Sequence, residues 1–204
     1  MEPLGAEARA IMARLEEADR RDRTDGTPDA LRLRAITPDV GRFLHTLVLA
    51  TNARTIVECG TSVGYSTLWF ATAAQLTSGQ VVTFEIDPRK VERARETFSE
   101  ANVWDVVDLR EGDAVDGLAQ FDGTADLVFV DTEKDSYDPF LEPAVRALRP
   151  GGLLAADNLT SHAEYLAAFR NAALAHPQLS GLVVPIGRGV LTAVKTVPEA
   201  ASSD

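Results

Sequence analysis

The pattern of apolar and polar residues changes near Thr55. Before that point apolar residues recur at helical spacing, and after it short apolar runs alternate with helical stretches. This alternation is typical of β-α-β units around a mainly parallel sheet. We therefore predict an α/β fold whose strands cover residues 55–59, 81–86, 106–110, 126–131, 152–157, 181–186 and 189–195.

Two helices precede the predicted sheet. An apolar series from Leu4 to Ala18 predicts the first, and the charged stretch Asp19 to Asp29 predicts a solvated loop after it. Thr37 followed by Pro38 predicts the start of the second helix. Both helices carry more apolar surface than a minimal sheet needs, so we expect them to cover an acceptor site or to form a homodimer contact.

Start signals also mark the helices between the strands. Asp87 and Asp138 each precede a proline and an apolar helical series, so both are predicted N-caps. Ser161 and Glu164 have the spacing of a capping box. The last two strands are joined at Gly187-Arg188, which predicts an antiparallel hairpin at the edge of the sheet.

Composition favours one globular domain over 1–204, with an N-terminal helix and loop at 1–35 and a core at 36–197. The net charge of -11 disfavours general nucleic-acid binding. No apolar run approaches the roughly 18 to 20 residues of a membrane-spanning helix. A single cysteine, Cys59, and the lack of a signal-like start predict a cytoplasmic protein with no membrane association.

The first predicted strand runs into a glycine-containing loop that starts a helix. Gly60 and Gly64 lie in it, at the carboxyl end of a parallel strand, where open α/β sheets bind ligands. Glycines allow close approach of a ligand, and amides at a helix start can bind an anion. The spacing differs from the three-glycine pattern of dinucleotide binders, which disfavours a nicotinamide dehydrogenase.

Acidic residues follow the next strands. Glu85 lies about twenty residues after the glycine loop, where it could accept hydrogen bonds from ribose hydroxyls. Asp113 would lie beside the same crevice, either at the adenine end of a ligand or simply as a turn residue. Asp131, Asp157 and Asn158 end two neighbouring strands. Their side-chain oxygens suit Mg²⁺, Ca²⁺ or Mn²⁺. The alternative interpretation is that these residues only form turns or helix caps at the strand ends.

Several segments together resemble one family. They are Glu58-x-Gly60-Thr61-x-x-Gly64-Tyr65-Ser66, Glu85-Ile86-Asp87, Gly112-Asp113-Ala114, Val130-Asp131 with Lys134 and Tyr137, Asp157-Asn158, and Ile186-Gly187-Arg188-Gly189. From about Leu33 to Lys195 the chain is similar to the cation-dependent O-methyltransferases that include the caffeoyl-coenzyme A and catechol enzymes. The resemblance implies a Rossmann-like class I methyltransferase sandwich, with a mainly parallel seven-stranded sheet, an antiparallel C-terminal hairpin, helices on both faces and extra N-terminal helices.

The resemblance also implies roles. It implies S-adenosylmethionine as methyl donor, a divalent cation held by Asp131, Asp157 and Asn158, and a small acceptor with adjacent hydroxyls. Lys134 falls where catechol-methylating members place a general base, and Asp131 is the second candidate catalytic residue. The residues implied to bind the cofactor are Ile36, Glu58, Gly60, Thr61, Ser62, Ser66, Glu85, Ile86, Asp113, Ala114 and Asp131.

Two alternatives remain open at this point. The acceptor could be a modified nucleotide in tRNA, which would need a phosphate-binding patch made by Arg20, Arg21, Arg23, Arg32 and Arg34. The chain could also be a noncatalytic module that binds the cofactor. The sequence does not identify the acceptor.

Overall fold

The computed structural model describes residues 5–133, 137–161 and 163–196. Its strands are β1 (Thr55–Cys59), β2 (Gln80–Glu85), β3 (Val107–Glu111), β4 (Ala125–Val130), β5 (Leu148–Ala156), β6 (Leu179–Val184) and β7 (Val190–Lys195). They form a seven-stranded sheet in the order β3-β2-β1-β4-β5-β7-β6. The pairs from β3 through β5 are parallel, whereas β7 is antiparallel to both of its neighbours. The predicted mainly parallel sheet with an antiparallel C-terminal hairpin is therefore confirmed.

The helices lie on both faces of the sheet. They are α1 (Ala6–Asp22), α2 (Pro38–Thr51), α3 (Tyr65–Thr77), α4 (Pro88–Glu100), α5 (Ala114–Leu118), α6 (Leu141–Ala147) and α7 (Ala167–Ala175), with short 3-10 turns at Asp29–Leu31, Ala119–Phe121 and Asp138–Phe140. Helices α1 to α4 contribute to the core on one face, and α5 to α7 contribute to the core on the other.

Alternation along the strands explains why both faces are covered. In β1 the side chain of Ile56 joins the first core and that of Val57 joins the second. In β4 Leu127 and Val128 divide in the same way, and all four side chains have no exposed surface. Because successive side chains of a strand point to opposite faces, the uninterrupted apolar runs of the sequence require helices on both sides.

The boundary predictions were less accurate around β5. The sequence predicts a helix that stops at Pro150 and a strand from residue 152, but α6 ends at Ala147 and β5 begins at Leu148. The parallel pairing of β4 with β5 shifts register between Ala125 and Leu127. This irregularity accommodates proline and glycine within the strand, because a bulge does not need a regular ladder hydrogen bond at every residue.

Two of the four predicted helix starts are confirmed. The Thr37 hydroxyl accepts a hydrogen bond from the Val40 amide, and the Asp87 carboxylate accepts one from the Arg89 amide. The cap at Asp138 is wrong, because the chain enters through a 3-10 turn and the preceding Tyr137 already has helical dihedral angles.

The capping box at Ser161 is also wrong. Helix α7 begins only at Ala167, after Leu166, and has no side-chain cap. The Ser161 hydroxyl instead donates a hydrogen bond to the carbonyl of Asn158, at 3.4 Å. The local sequence pattern therefore stabilises the turn after β5 and does not start the helix.

The charged stretch after the first helix is not simply a solvated loop. Helix α1 extends through Asp22, whose side chain is 6% exposed. The Asp22 carboxylate accepts a hydrogen bond from the Leu33 amide at 2.7 Å, and Asp19 accepts one from Ala35 at 3.0 Å. The last turn of α1 thus anchors the segment that leads into α2.

None of the helices in the described part of the chain combines the length and apolar character needed to cross a membrane.

Candidate functional site

A cavity of about 420 Å³ opens at the carboxyl ends of β1, β2 and β4. One wall is the glycine loop between β1 and α3. The opposite wall is formed by residues 33–36, which we call the strap. The remaining lining includes the ends of β2 and β4 and the starts of α4 and α5. Of the eleven predicted cofactor residues, ten line this cavity: Ile36, Gly60, Thr61, Ser62, Ser66, Glu85, Ile86, Asp113, Ala114 and Asp131.

The glycine loop needs glycine at Gly60 for two reasons. Its φ of 101° lies in the left-handed region, which L-residues with a side chain rarely adopt. A Cβ atom there would also collide with the backbone carbonyl oxygen of Asp131. The close approach of the two strand ends therefore depends on the absence of a side chain at this residue.

Glu85 forms the floor of the cavity at the end of β2. One carboxylate oxygen accepts a hydrogen bond from the Ser62 amide at 2.8 Å, and the other accepts from the amides of Ile86 and Asp87 at 3.0 Å. The side chain is only 7% exposed. A carboxylate oxygen can accept more than one hydrogen bond, so this fixed group can still receive hydroxyl donors from a ligand.

Glu58 differs from the other predicted cofactor residues because it lies behind the cavity wall. Its side chain has no exposed surface and accepts hydrogen bonds from the hydroxyls of Ser66, Thr67 and Thr83 at 2.5 to 2.7 Å. Burial raises the pKa of Glu58 to about 7, although the three hydroxyl donors act in the opposite direction. Glu58 therefore supports the wall through Ser66, which does line the cavity.

The far end of the cavity combines apolar and polar groups. Ile86 is 69% exposed at its rim, and the Ala114 side chain lies nearby in the lining. The Asp113 carboxylate accepts a hydrogen bond from the Val115 amide at 2.8 Å and so caps α5. The turn role of Asp113 is thus present, in a residue that also lines the cavity. This end could hold a flat heterocycle against Ile86.

Side-chain bonds hold the strap across the cavity. The Ser62 hydroxyl of the glycine loop donates to the Leu33 carbonyl at 2.9 Å. On the opposite side, the Arg34 guanidinium donates to the Glu133 carboxylate at 2.5 Å, just after β4. Arg34 has a φ of 52°, an uncommon value for a residue with a side chain. This ion pair has no signal in the local sequence pattern, because its partners are 99 residues apart.

The three predicted metal ligands meet beside the cavity. The Asn158 amide donates to the Asp131 carboxylate at 2.8 Å. The Tyr137 hydroxyl lies 3.4 Å from the same Asp131 oxygen and 3.2 Å from the backbone carbonyl of Asp157. Burial raises the pKa of Tyr137 well above its ordinary value, so its hydroxyl stays protonated and donates. Asp157 and Asn158 are each only 1% exposed.

The donor set of this cluster fits an oxygen-preferring dication. It offers two carboxylates and one amide, with no imidazole or thiolate among them. In the described ranges no three His, Cys, Asp or Glu side chains group together as metal ligands. A site here therefore has to include the Asn158 amide oxygen, and the amide would have to rotate, because its nitrogen faces Asp131 in this structure. A Mg²⁺ ion would complete its coordination with water or acceptor oxygens.

Two further predictions concern reactive side chains. Lys134, the predicted general base, lies outside the described residues, directly after Glu133. Cys59 has no exposed surface, and burial raises the pKa of its thiol. This supports the interpretation of Cys59 as a small core residue and not a nucleophile.

The chain is similar to known O-methyltransferases. The chain is 36% identical over 129 residues to a catechol O-methyltransferase of Niastella koreensis, covering 61% of this chain and 58% of the relative. A catechol O-methyltransferase of Mycobacterium tuberculosis is 37% identical over 126 residues, with coverage of 61% and 57%. The matches thus span somewhat more than half the length of these two curated relatives.

A solved structure extends the similarity over most of the fold. The O-methyltransferase from Bacillus cereus, crystallised in complex with SAH, has a TM-score of 0.76 and 26% identity. The match covers 92% of this chain and 91% of that one. The profile described as O-methyltransferase matches residues 6–182. The chain therefore belongs to the O-methyltransferase family.

Proposed function

We propose that this protein is an S-adenosylmethionine-dependent, divalent-metal-assisted O-methyltransferase that acts on a small acceptor with adjacent hydroxyl groups. The observation that carries the proposal is the position of Asp131. This residue lines the cavity and also contacts Asn158 in the oxygen-ligand cluster. A methyl donor in the cavity and an acceptor at the cluster would therefore meet at one strand end.

In this proposal the cavity residues bind and orient the methyl donor. The strap and the glycine loop enclose it from two sides, and Glu85 accepts hydrogen bonds from its ribose hydroxyls. Such positioning is the main task of the protein, because the sulfonium methyl group is already activated for transfer. The bound SAH named for the relative from Bacillus cereus supports this choice of cofactor.

At the acceptor side, Asp131, Asp157 and Asn158 would hold the dication, with Mg²⁺ as the expected ion and Ca²⁺ or Mn²⁺ as alternatives. When bound, a dication supplies charge that favours ionisation of an acceptor hydroxyl and orients it. Lys134 is the proposed general base that removes the hydroxyl proton. The names of the two catechol O-methyltransferase relatives support a catechol-type acceptor.

The proposal includes a homodimer in the cytoplasm. The sequence contains a single cysteine, Cys59, which is buried, and this is compatible with a reducing compartment. Apolar residues of α1 and α2 such as Met12 and Leu44 are buried in the chain's own core, so a dimer contact would use other surface, for example around the exposed Leu31 and Leu49. Mass measurement in solution at micromolar concentration tests this part, and a monomer would contradict it.

The decisive experiment measures methyl transfer from labelled S-adenosylmethionine to catechol and to caffeate, with and without a chelator. We expect the chelator to abolish transfer and added Mg²⁺ to restore it. Asp157→Ala should lose transfer by a factor of about 100 or more, since a removed ligand weakens both metal and acceptor binding. Asp105→Ala removes an exposed carboxylate elsewhere and serves as the matched control.

The outcomes separate the parts of the proposal. Transfer that is indifferent to chelator and to Asp157→Ala would contradict the metal site while leaving a methyltransferase. Binding of S-adenosylmethionine without transfer to either acceptor would contradict the enzymatic proposal and favour a noncatalytic module.

A further inference from the structure

The loop between β6 and β7 packs between the start of α2 and the turn after β5. Its tip, Gly187, packs against the start of α2: a Cβ atom built there would lie 2.5 Å from Val40 and 2.9 Å from the Thr37 hydroxyl. On its other side the Arg188 carbonyl accepts hydrogen bonds from the amides of Thr160 and Ser161, at 2.8 and 3.3 Å. The loop is therefore held at two points, and the backbone of Arg188 has a defined position.

The Arg188 side chain is directed toward the oxygen-ligand cluster. Its guanidinium lies 3.5 Å from the amide oxygen of Asn158, which in turn contacts Asp131. Asp131 and Ile36 both line the cofactor cavity, and Ile36 is followed by Thr37, which the hairpin loop contacts. These contacts link Arg188 to the strand end where, on the proposed function, an acceptor would meet the methyl donor.

Among the described residues, Arg188 forms no ion pair within 4 Å, whereas Arg34 of the strap pairs with Glu133. Arg188 is nevertheless half-buried. A dication bound to the Asn158 amide oxygen would take this acceptor from Arg188. The partly buried guanidinium would then be a favourable partner for a carboxylate, to which it can donate two parallel hydrogen bonds.

We propose that Arg188 selects acceptors that carry a carboxylate on the ring with the adjacent hydroxyls, that is, catechol carboxylates over neutral catechols. The inference rests on the proposed function and narrows its acceptor class. A bound dication would offset the charges of Asp131 and Asp157, so the guanidinium of Arg188 would add a net attraction for the ring carboxylate.

The test compares two acceptors that differ only in charge: 3,4-dihydroxybenzoate and 3,4-dihydroxybenzamide. For the wild-type protein we expect kcat/KM to be higher for the acid by about tenfold or more, the size of effect typical of a charge-assisted hydrogen bond. Titration calorimetry of both acceptors in the presence of SAH should show the same preference in binding, without dependence on turnover.

Substitution then assigns the preference to the side chain. Arg188→Gln should lower kcat/KM for the acid by about tenfold and leave the amide within about twofold, while Arg188→Lys retains part of the preference. Arg95→Gln removes an exposed arginine from α4 and is the control for net charge. SAH binding by Arg188→Gln verifies that the variant is folded, and the wild-type comparison needs no variant.

Equal use of acid and amide by the wild type, or an equal loss of both in Arg188→Gln, would overturn the role of Arg188 and leave the methyltransferase proposal standing. If neither compound is bound or methylated, both proposals fail.

Discussion

At the scale of single residues, Glu58 combines complete burial with an ionisable group. Its folded pKa of about 7 lies above its ordinary value of 4.5, so between these pH values the folded protein binds a proton that the unfolded chain does not. The contribution of Glu58 to stability is therefore fully present below pH 4.5 and is lost as the pH rises toward 7.

Replacement by glutamine removes this dependence. We expect the free energy of unfolding of Glu58→Gln, relative to wild type, to rise by up to about 3 kcal/mol between pH 4.5 and 7. Urea denaturation across this pH range measures the difference. Glu92→Gln, at an exposed position of α4, should keep a flat difference. Parallel curves for wild type and Glu58→Gln would contradict the raised pKa.

Glu85 lies at the floor of the cavity, where three backbone amides hold its carboxylate. We expect Glu85→Gln to weaken SAH binding by about tenfold or more, since the amide nitrogen cannot accept a hydrogen bond. Equilibrium binding measures this loss. Glu111→Gln is the control: Glu111 is paired with Glu85 on the neighbouring strand, and this variant should bind SAH with wild-type affinity. Wild-type affinity in Glu85→Gln would argue against its contact with the ribose.

At the scale of elements, the strap illustrates how a short segment closes a cavity. We expect Arg34→Met to accelerate SAH dissociation by about two- to fivefold, because the lost ion pair with Glu133 is partly exposed and contributes modestly. Glu133→Gln should have a similar effect, and the double variant should add little. Stopped-flow displacement measures the rate of SAH dissociation. Arg42→Met is the control, because it removes an exposed ion pair with Asp39 elsewhere on the chain.

Additive effects of the two strap variants would show that Arg34 and Glu133 act independently. An unchanged dissociation rate in both would mean that the hydrogen bonds of Leu33 and Ala35 hold the strap without the ion pair.

At the scale of the whole molecule, the arrangement of charge bears on the tRNA alternative. Four of the five arginines required for a phosphate-binding patch are already in ion pairs: Arg20 with Glu17, Arg23 with Asp19, Arg32 with Asp29, and Arg34 with Glu133. Phosphates would have to displace these carboxylates from a protein whose net charge is -11.

We therefore expect no specific tRNA binding at about 150 mM salt, and a shallow dependence of any binding on salt, because few counterions would be released. Filter binding with a salt titration measures this. Tight binding with a steep salt slope would restore the nucleic-acid alternative.

Whether residues 1–204 form one domain stays a prediction, and a single cooperative unfolding transition would support it.

The sequence alone determined the sheet, the glycine loop and ten of the residues that line the cavity. The apolar runs predict strands because side chains alternate between the two faces with a period of two residues. The helix caps Thr37 and Asp87 bond to amides two or three residues away, so they too can be inferred from the local sequence. The same holds for acidic residues at strand ends, because parallel strands bring their carboxyl ends to one edge.

Only the tertiary structure decided which side chains face the cavity and which support it from behind. Glu58 and Glu85 both lie near the carboxyl ends of neighbouring strands, yet Glu58 is enclosed by hydroxyls and Glu85 lines the cavity. The anchoring of the strap by Asp22 and the approach of Arg188 to Asn158 likewise join residues distant in sequence. Such contacts depend on how helices and loops pack on the sheet, and local patterning carries no information about that packing.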